Sequence, residues 1–406
     1  MTLLSVLSRM NSVRIMSEPI QRHFNQGSSW AQPAAGGNPV SAVAISEGET
    51  MQIFQCGHCE HVILFESVRC ERCQYEVAFE PKLLRFITVC EHNGNLIEVN
   101  KPQGLTWKYC KNKQQQACNW LVDSDSASGL CISCELNRYI PNIGTIENLD
   151  GWRALQSAKH RLVYSLLKHQ LPVDRKQSPQ DSGISFDFIN TRQVVPKDAH
   201  TMTGHAGGKI TITMNEANSV QREQARIDMH EQYRTLLGHL RHEVGHYYWD
   251  VLIRDNPRWL ERYRTAFGDE RKNYAQALQR YYDNGPVPDW NQYYVTEYAS
   301  SHPWEDWAET WSHYLHLTDI METATALRVS VNPYYAEKNQ GLAMTADIDP
   351  YGQVDFDAFM SKALAVIFAT NCLNRSMGQP DLYPFVLMPR VKEKLRFIHE
   401  LLKERI

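Results

Sequence analysis

At 406 residues, 43% hydrophobic and 22% charged, the chain has the composition of a soluble globular protein with room for two or three domains and a well-buried core. Its formal net charge of −4 excludes a global field that would draw nucleic acid or an anionic membrane. No run of about 18 apolar residues reads as a transmembrane helix.

The N-terminal stretch MTLLSVLSRMNSVRIMSEPI is weakly apolar and interrupted by Arg9, Asn11 and Arg14, so it does not read as a secretory leader. Met10 and Met16 are alternative starts, and the expected compartment is the cytoplasm. The Gly/Ser/Pro/Ala-rich segment NQGSSWAQPAAGGNPVSA has little to bury, so residues 1–50 are expected to be disordered.

Residues 51–140 hold nine of the ten cysteines, while Cys372 stands alone in an apolar stretch. Cys56, Cys59, Cys70 and Cys73 follow C-x2-C-x10-C-x2-C, the spacing of two metal knuckles rather than of disulfides. Two tight turns can each aim two thiolates inward, and four thiolates close a tetrahedral structural zinc site. Cys110, Cys118, Cys131 and Cys134 repeat the theme with a stretched first knuckle, C-x7-C-x12-C-x2-C, and are expected to form a second such site. Cys90 reads as a small core residue, and His58, His61 and His92 as bystanders. Residues 52–80 carry five Glu against two Arg, and residues 101–138 five basic against three acidic residues. Neither segment offers the basic stripe that phosphate neutralisation requires, so nucleic acid is not an expected partner. The zinc instead holds together a module with little apolar core of its own.

From NLDGWRALQSAKHRLVYSLLKHQL onward the period turns helical, with Asp150 as the expected N-cap and Pro172 as the stop. GGKITITM (207–214) alternates and is β-branched, which predicts a strand and a natural edge for an extended peptide to add to. Residues 221–253 show one long helical pattern with an apolar stripe through Leu236, Leu240, Val244, Tyr247 and Val251.

That pattern contains LRHEVGHYYWD, in which His242 and His246 lie four apart with Glu243 after the first. On a helix both imidazoles face one side and converge on one ion, with the Glu beside them. Gly245 between them leaves a gap where another backbone or a metal-bound group can approach. A catalytic zinc needs a third protein ligand, and the segment YASSHPWEDWAETWSHYLH offers Glu305 and Glu309 on one face of a helix starting near Pro303. One carboxylate can bind the ion while the other orients a ligating imidazole. His313 and His316 are further candidates on the same segment.

TGHAGGKITI, YRTLLGHLRHEVGHYYWDVL, FGDER and SSHPWEDWAETWSHYLH, preceded by paired cysteine knuckles and CNWL, resemble the bacterial zinc-binding metallopeptidases that carry an N-terminal zinc ribbon. The resemblance covers roughly residues 52–330 and leaves the first 50 unexplained. The E-x-aromatic-A-E segment is also similar to that of lethal-factor-like metallopeptidases, including the Pro-Pro endopeptidases. That likeness implies that Glu305 binds zinc, that Glu309 supports a ligating histidine, and that Tyr298 stabilises the transition state.

The expected fold is therefore α+β. Zinc-ribbon modules of short strands (51–140) precede a mainly helical zincin-type metallopeptidase domain (141–406) with a small edge-strand sheet and C-terminal helices. The expected activity is zinc-dependent hydrolysis of a protein or peptide substrate, with Glu243 as general base towards the water that zinc activates. One catalytic and one or two structural zinc ions are implied, and no membrane partner. The alternative is a non-catalytic ribbon protein that binds protein or nucleic acid on a vestigial peptidase fold. An intact Glu243 counts against it, because a binding module has no use for a general base.

Overall fold

The computed structural model describes residues 53–405 except 102, 191–202, 229–231 and 335–339. The expected disordered segment 1–50 lies outside the described residues.

Strands β1 (Phe54–Gln55) and β2 (Val62–Ile63) form a small hairpin around the first cysteine knuckle. Five antiparallel strands follow as a meander in chain order: β3 (Glu76–Glu80), β4 (Arg85–His92), β5 (Asn95–Glu98), β6 (Thr106–Tyr109) and β7 (Leu121–Asp123). Phe54, Phe65, Phe79, Phe86 and Trp120 pack together on one side of this meander. Cys90 lies in β4 opposite Ile97 and is half-buried, so it sits at the margin of the core rather than inside it.

The short helix α1 (Ile132–Glu135) and strand β8 (Asn137–Tyr139) lead into the long helix α2 (Ile146–Lys168). This helix starts four residues before the expected cap. Thr145 has extended backbone and accepts from the Asn148 N–H at 3.3 Å, satisfying an orphan donor. Asp150 lies inside the helix and pairs with Arg153 at 3.0 Å.

Strands β9 (Ser185–Ile189), β10 (Gly204–Ala206) and β11 (Lys209–Thr213) join β8 in a second sheet of order β10-β11-β9-β8. The predicted strand at 207–214 exists, but it is not an edge. It runs parallel to β9 on one side and antiparallel to β10 on the other, so among the described residues the end strands of this sheet are β10 and β8.

Nor is 221–253 one helix. Helix α3 (Ser219–Asp228) ends, residues 229–231 lie outside the described residues, and α4 (Leu236–Trp249) begins afresh. Thr235 adopts φ −122° and ψ 154°, and its side chain accepts from the Gly238 N–H at 3.0 Å. A hydroxyl cap at that point starts a new helix, whatever the hydrophobic period continues to suggest. One π turn (Asp250–Arg254) then precedes α5 (Pro257–Phe267).

Helices α6 (Tyr274–Asn284) and α7 (Trp290–Tyr293) lead to α8 (Pro303–Ala326), with Pro303 in its first turn and His302 as N-cap. The hairpin β12 (Ser330–Val331) and β13 (Met344–Thr345) precedes α9 (Phe356–Ser376) and α10 (Pro389–Lys403). By length and composition α9 is apolar enough to cross a membrane, although no comparable run was expected. Its Phe359, Met360, Ala363 and Val366 are buried in the core that it shares with α8 and α10.

The crossing of α4 and α8 sets the centre of the helical half. A Cβ on Gly245 would lie 3.1 Å from the Ala308 Cα and 3.2 Å from the Trp311 ring, so the gap is filled by the backbone of α8. Trp307 donates from Nε1 to the Gly245 carbonyl at 2.7 Å, pinning the two helices at this point.

Candidate metal centres

Helix α4 presents His242, Glu243 and His246, and the first turns of α8 present Glu305 and Glu309. All are buried or nearly so. One ligand atom each from His242, His246 and Glu305 falls within 4.8 Å of the others. Glu305 Oε2 lies 3.0 Å from His242 Nε2 and 3.5 Å from His246 Nε2, yet it has no partner in hydrogen-bond geometry. Three buried lone-pair donors that crowd together without bonding one another fit a single ion held between them.

The surrounding groups fix this arrangement. His242 donates from Nδ1 to Glu309 Oε1 at 2.6 Å, which leaves Nε2 as the lone-pair nitrogen facing Glu305. Glu309 Oε2 in turn accepts from the Thr296 hydroxyl at 2.8 Å. Tyr274 donates to Glu305 Oε1 at 2.6 Å, so one carboxylate oxygen is tied and the other faces the imidazoles. Burial would raise the Glu305 carboxyl, but the His246 and His242 imidazoles outweigh it and hold the group well below the usual carboxylate range. His246 has no such partner on Nδ1 among the described residues; its ring lies 4.1 Å from that of Trp304.

Glu243 sits beside the triad rather than in it. Its Oε1 lies 3.4 Å from His239 Nε2, one helical turn earlier, and His239 Nδ1 lies 3.4 Å from Glu216 Oε2. Burial would lower the His239 imidazole, but the carboxylates on either side raise it to about 9. Arg234 holds Glu216 from outside at 2.7 Å. Tyr298 faces the His242 ring at 6.0 Å, and burial together with the Glu305 charge keeps its hydroxyl protonated, well above the ordinary value. Of the other candidates, His313 bonds the Tyr383 hydroxyl at 2.6 Å and His316 takes an N–H from Arg241, so neither joins the triad.

Sequence reasoning missed Tyr274, Thr296, Glu216, His239 and His205. Only His239 carried a local signal, four residues before Glu243 on the same helical face. His205 on β10 accepts the Gly208 N–H on Nε2 at 2.9 Å, and its ring lies 6.1 Å from that of His246.

Two cysteine quartets occupy the N-terminal half. Sγ atoms of Cys56, Cys59, Cys70 and Cys73 all fall within 4.8 Å of one another, as do those of Cys110, Cys118, Cys131 and Cys134. Neighbouring sulfurs stand 3.6–3.7 Å apart, far beyond the ~2.05 Å of a disulfide and close to the edge of a ZnS4 tetrahedron. The N–H groups of Trp120, Cys131 and Cys134 each approach a sulfur of the second quartet at 3.4 Å. His160 on α2, which sequence reasoning overlooked, places Nε2 3.3 Å from Cys118 Sγ. The neighbouring Lys159 is fully buried and donates to the Ser133 carbonyl at 2.7 Å. A Zn(Cys)4 site carries a formal charge of −2, so a buried cation and an imidazole beside it are electrostatically apt.

The family described as "putative zinc-binding metallo-peptidase" matches residues 148–401, and a zinc-ribbon domain family matches residues 53–145. The chain belongs to the family so described and carries a zinc-ribbon domain ahead of it. Uncharacterized proteins of Mycobacterium tuberculosis and Mycobacterium bovis are each 35% identical to it over 354 residues, covering 87% of this chain and 96% of theirs. No solved structure matches it. The α+β architecture of a short-strand ribbon region followed by a mainly helical domain is the one expected from the sequence.

Proposed function

We propose that this member of the family hydrolyses peptide bonds, with His242, His246 and Glu305 holding a catalytic zinc ion. The observation that carries the reading is the buried triad with Glu243 at its side and Glu309 on the far nitrogen of His242. Zinc in such a triad supplies Lewis acidity, lowering the pKa of a water molecule towards ~7 and polarising a carbonyl.

The chain's own groups do the rest. Glu243 would take a proton from the attacking water as that water's oxygen bonds the carbonyl carbon, and deliver it to the amine that leaves as the C–N bond breaks, as a positioned general base and then acid. His239, itself held by Glu216, keeps the Glu243 carboxylate ionised and aimed. Glu309 and Thr296 hold His242 in one tautomer and one orientation. Tyr298 offers a protonated hydroxyl to an oxygen that becomes negative in the transition state, where such a bond is strongest. The extended substrate adds to β10, an end strand of the sheet among the described residues and beside His246, rather than to the covered β11.

The two cysteine quartets are structural in this reading, giving three zinc ions per chain. Peptide-library cleavage by wild type against Glu243→Gln tests the proposal, with elemental analysis of both. Expected is cleavage by wild type, its loss in Glu243→Gln, and about three zinc ions in each. Cleavage that survives Glu243→Gln would remove the general-base assignment.

A further inference from the structure

Beside the triad, on the Glu309 side of His242, lies a partly enclosed cavity of about 100 Å³. We infer that it is a substrate subsite for one uncharged, branched aliphatic side chain of valine or leucine size, flanking the bond to be cut. The inference rests on the peptidase reading above and sharpens its substrate class.

Three observations converge on it. The first is the wall. Tyr233, Tyr281, Trp290 and Phe385 line the cavity from four separate segments, with Tyr298 and His242 at the end nearest the triad. Phe385 packs edge-on against His313 at 4.3 Å and against Tyr233 at 5.9 Å, so the rings form one continuous surface. Pockets of this make-up gain affinity from apolar contact, with a few polar groups fixing orientation.

The second is charge. His313 is held neutral by burial, its pKa lowered to about 4. His316 accepts an N–H from Arg241 on Nδ1, which places its own proton on Nε2 at the cavity side. Of the charged groups that line it, Arg234 pairs with Glu216, His239 lies between Glu216 and Glu243, and Glu309 is bonded by His242 and Thr296, while the half-buried Glu297 carboxylate makes no ion pair among the described residues. A glutamate side chain entering this space would give up hydration without finding a counter-charge, and a lysine would find only the half-buried Glu297 carboxylate.

The third is size. A dry engineered cavity of about 150 Å³ takes a benzene ring, so this partly enclosed space of about 100 Å³ suits a side chain smaller than phenylalanine. Gly238 in the first turn of α4 keeps even that space open. A Cβ there would lie 3.0 Å from the Thr235 capping hydroxyl, 3.3 Å from His316 Nε2 and 3.6 Å from the Tyr233 ring, although alanine would suit the helix better by ~1 kcal/mol.

The test reads binding and cleavage separately on the zinc-loaded full chain. Saturation-transfer NMR measures N-acetyl-leucinamide against the asparagine, lysine and phenylalanine amides, with Phe385→Ala and Tyr233→Leu as variants. Expected is binding of the leucine amide at least ~10-fold tighter than the other three, since one missing or misfitting group in such a pocket is worth about 10–200-fold. Phe385→Ala should weaken the leucine amide and admit the phenylalanine amide, with Tyr233→Leu as the second probe if the first variant folds poorly. Equal or tighter binding of the asparagine or lysine amide overturns the subsite, as does binding unchanged in both variants. Library cleavage without an aliphatic preference at one position beside the cut also overturns it, while leaving the peptidase reading intact. Phe385-dependent binding of the leucine amide with no peptide cleaved removes the peptidase reading and overturns the substrate role of the pocket, leaving only an aliphatic side-chain site.

Discussion

In the proposed zinc site, replacing Glu309 by alanine should separate a group that holds the ion from one that holds its ligand. In the folded chain Glu309 makes two bonds, one from His242 Nδ1 at 2.6 Å and one from the Thr296 hydroxyl at 2.8 Å. The first joins a carboxylate to the imidazole proposed as a zinc ligand and is the stronger kind, worth ~1.5–3 kcal/mol. Its loss frees the His242 ring to rotate and makes its nitrogen less basic. Losses of this type cost ~10–100-fold in metal affinity, or ~1.4–2.7 kcal/mol at ~1.4 kcal/mol per decade. Thr296→Val removes only the outer bond, so it should cost less than Glu309→Ala, within about tenfold. Glu305→Ala removes a ligand, and two imidazoles alone should not retain the ion through dialysis. The assay is zinc content after equilibration with graded chelator, following the third and weakest-held equivalent while the thiolate zincs stay bound. If Glu305→Ala kept that equivalent and Glu309→Ala lost it, the roles of the two carboxylates would be reversed.

Tyr298→Phe should lower kcat by ~10²-fold with little change in KM or zinc content, whereas Tyr274→Phe should weaken zinc binding by about tenfold because Glu305 Oε1 loses its donor. Steady-state kinetics and metal titration of the pair distinguish them; a kcat loss in Tyr274→Phe alone, at full zinc loading, would move the oxyanion role to Tyr274. Gly245→Ala should destabilise the fold by ~1–3 kcal/mol in thermal melts, because the ~1 kcal/mol gained in helix propensity is exceeded by a Cβ 3.1 Å from the Ala308 backbone. A raised Tm would show that α4 and α8 separate freely. His313 is held neutral at about 4 against an ordinary 6.5, so the unfolded chain binds the extra proton first. Its stabilising share is whole above pH 6.5 and is lost as pH falls towards 4, up to ~3 kcal/mol at ~1.4 kcal/mol per pH unit. Chemical denaturation at pH 7 and 5 should give a smaller pH dependence in His313→Gln than in wild type, and equal slopes would refute the buried neutral imidazole.

The parts of the site that the sequence announced are those whose spacing alone places them. His242 and His246 share a face because a helix repeats every 3.6 residues, and the same rule puts Glu305 and Glu309 together. The cysteine pairs are equally local, since each knuckle closes within four residues. What stayed hidden depends on how elements meet. Tyr274 reaches Glu305 from 31 residues away, and Glu216 reaches His239 across a helix break that the unbroken apolar period concealed. Thr235 could have betrayed that break, because a threonine three residues before a glycine N–H is also a capping signal.

Strand order was hidden for a different reason. An alternating β-branched run such as Lys209–Thr213 states that a strand exists and which side chains share a face, but an edge strand and an inner strand carry the same alternation. One edge falls to β10, a three-residue strand around His205 that periodicity cannot distinguish from a turn. This shifts the functional argument as well as the topology. Because β10 is short and its histidine ring lies within 6.1 Å of His246, a substrate paired there has few backbone bonds available and a fixed register against the triad. With so little affinity to be had from the strand, the proposed selectivity would come from side-chain pockets, and the partly enclosed aromatic cavity beside His242 is the candidate.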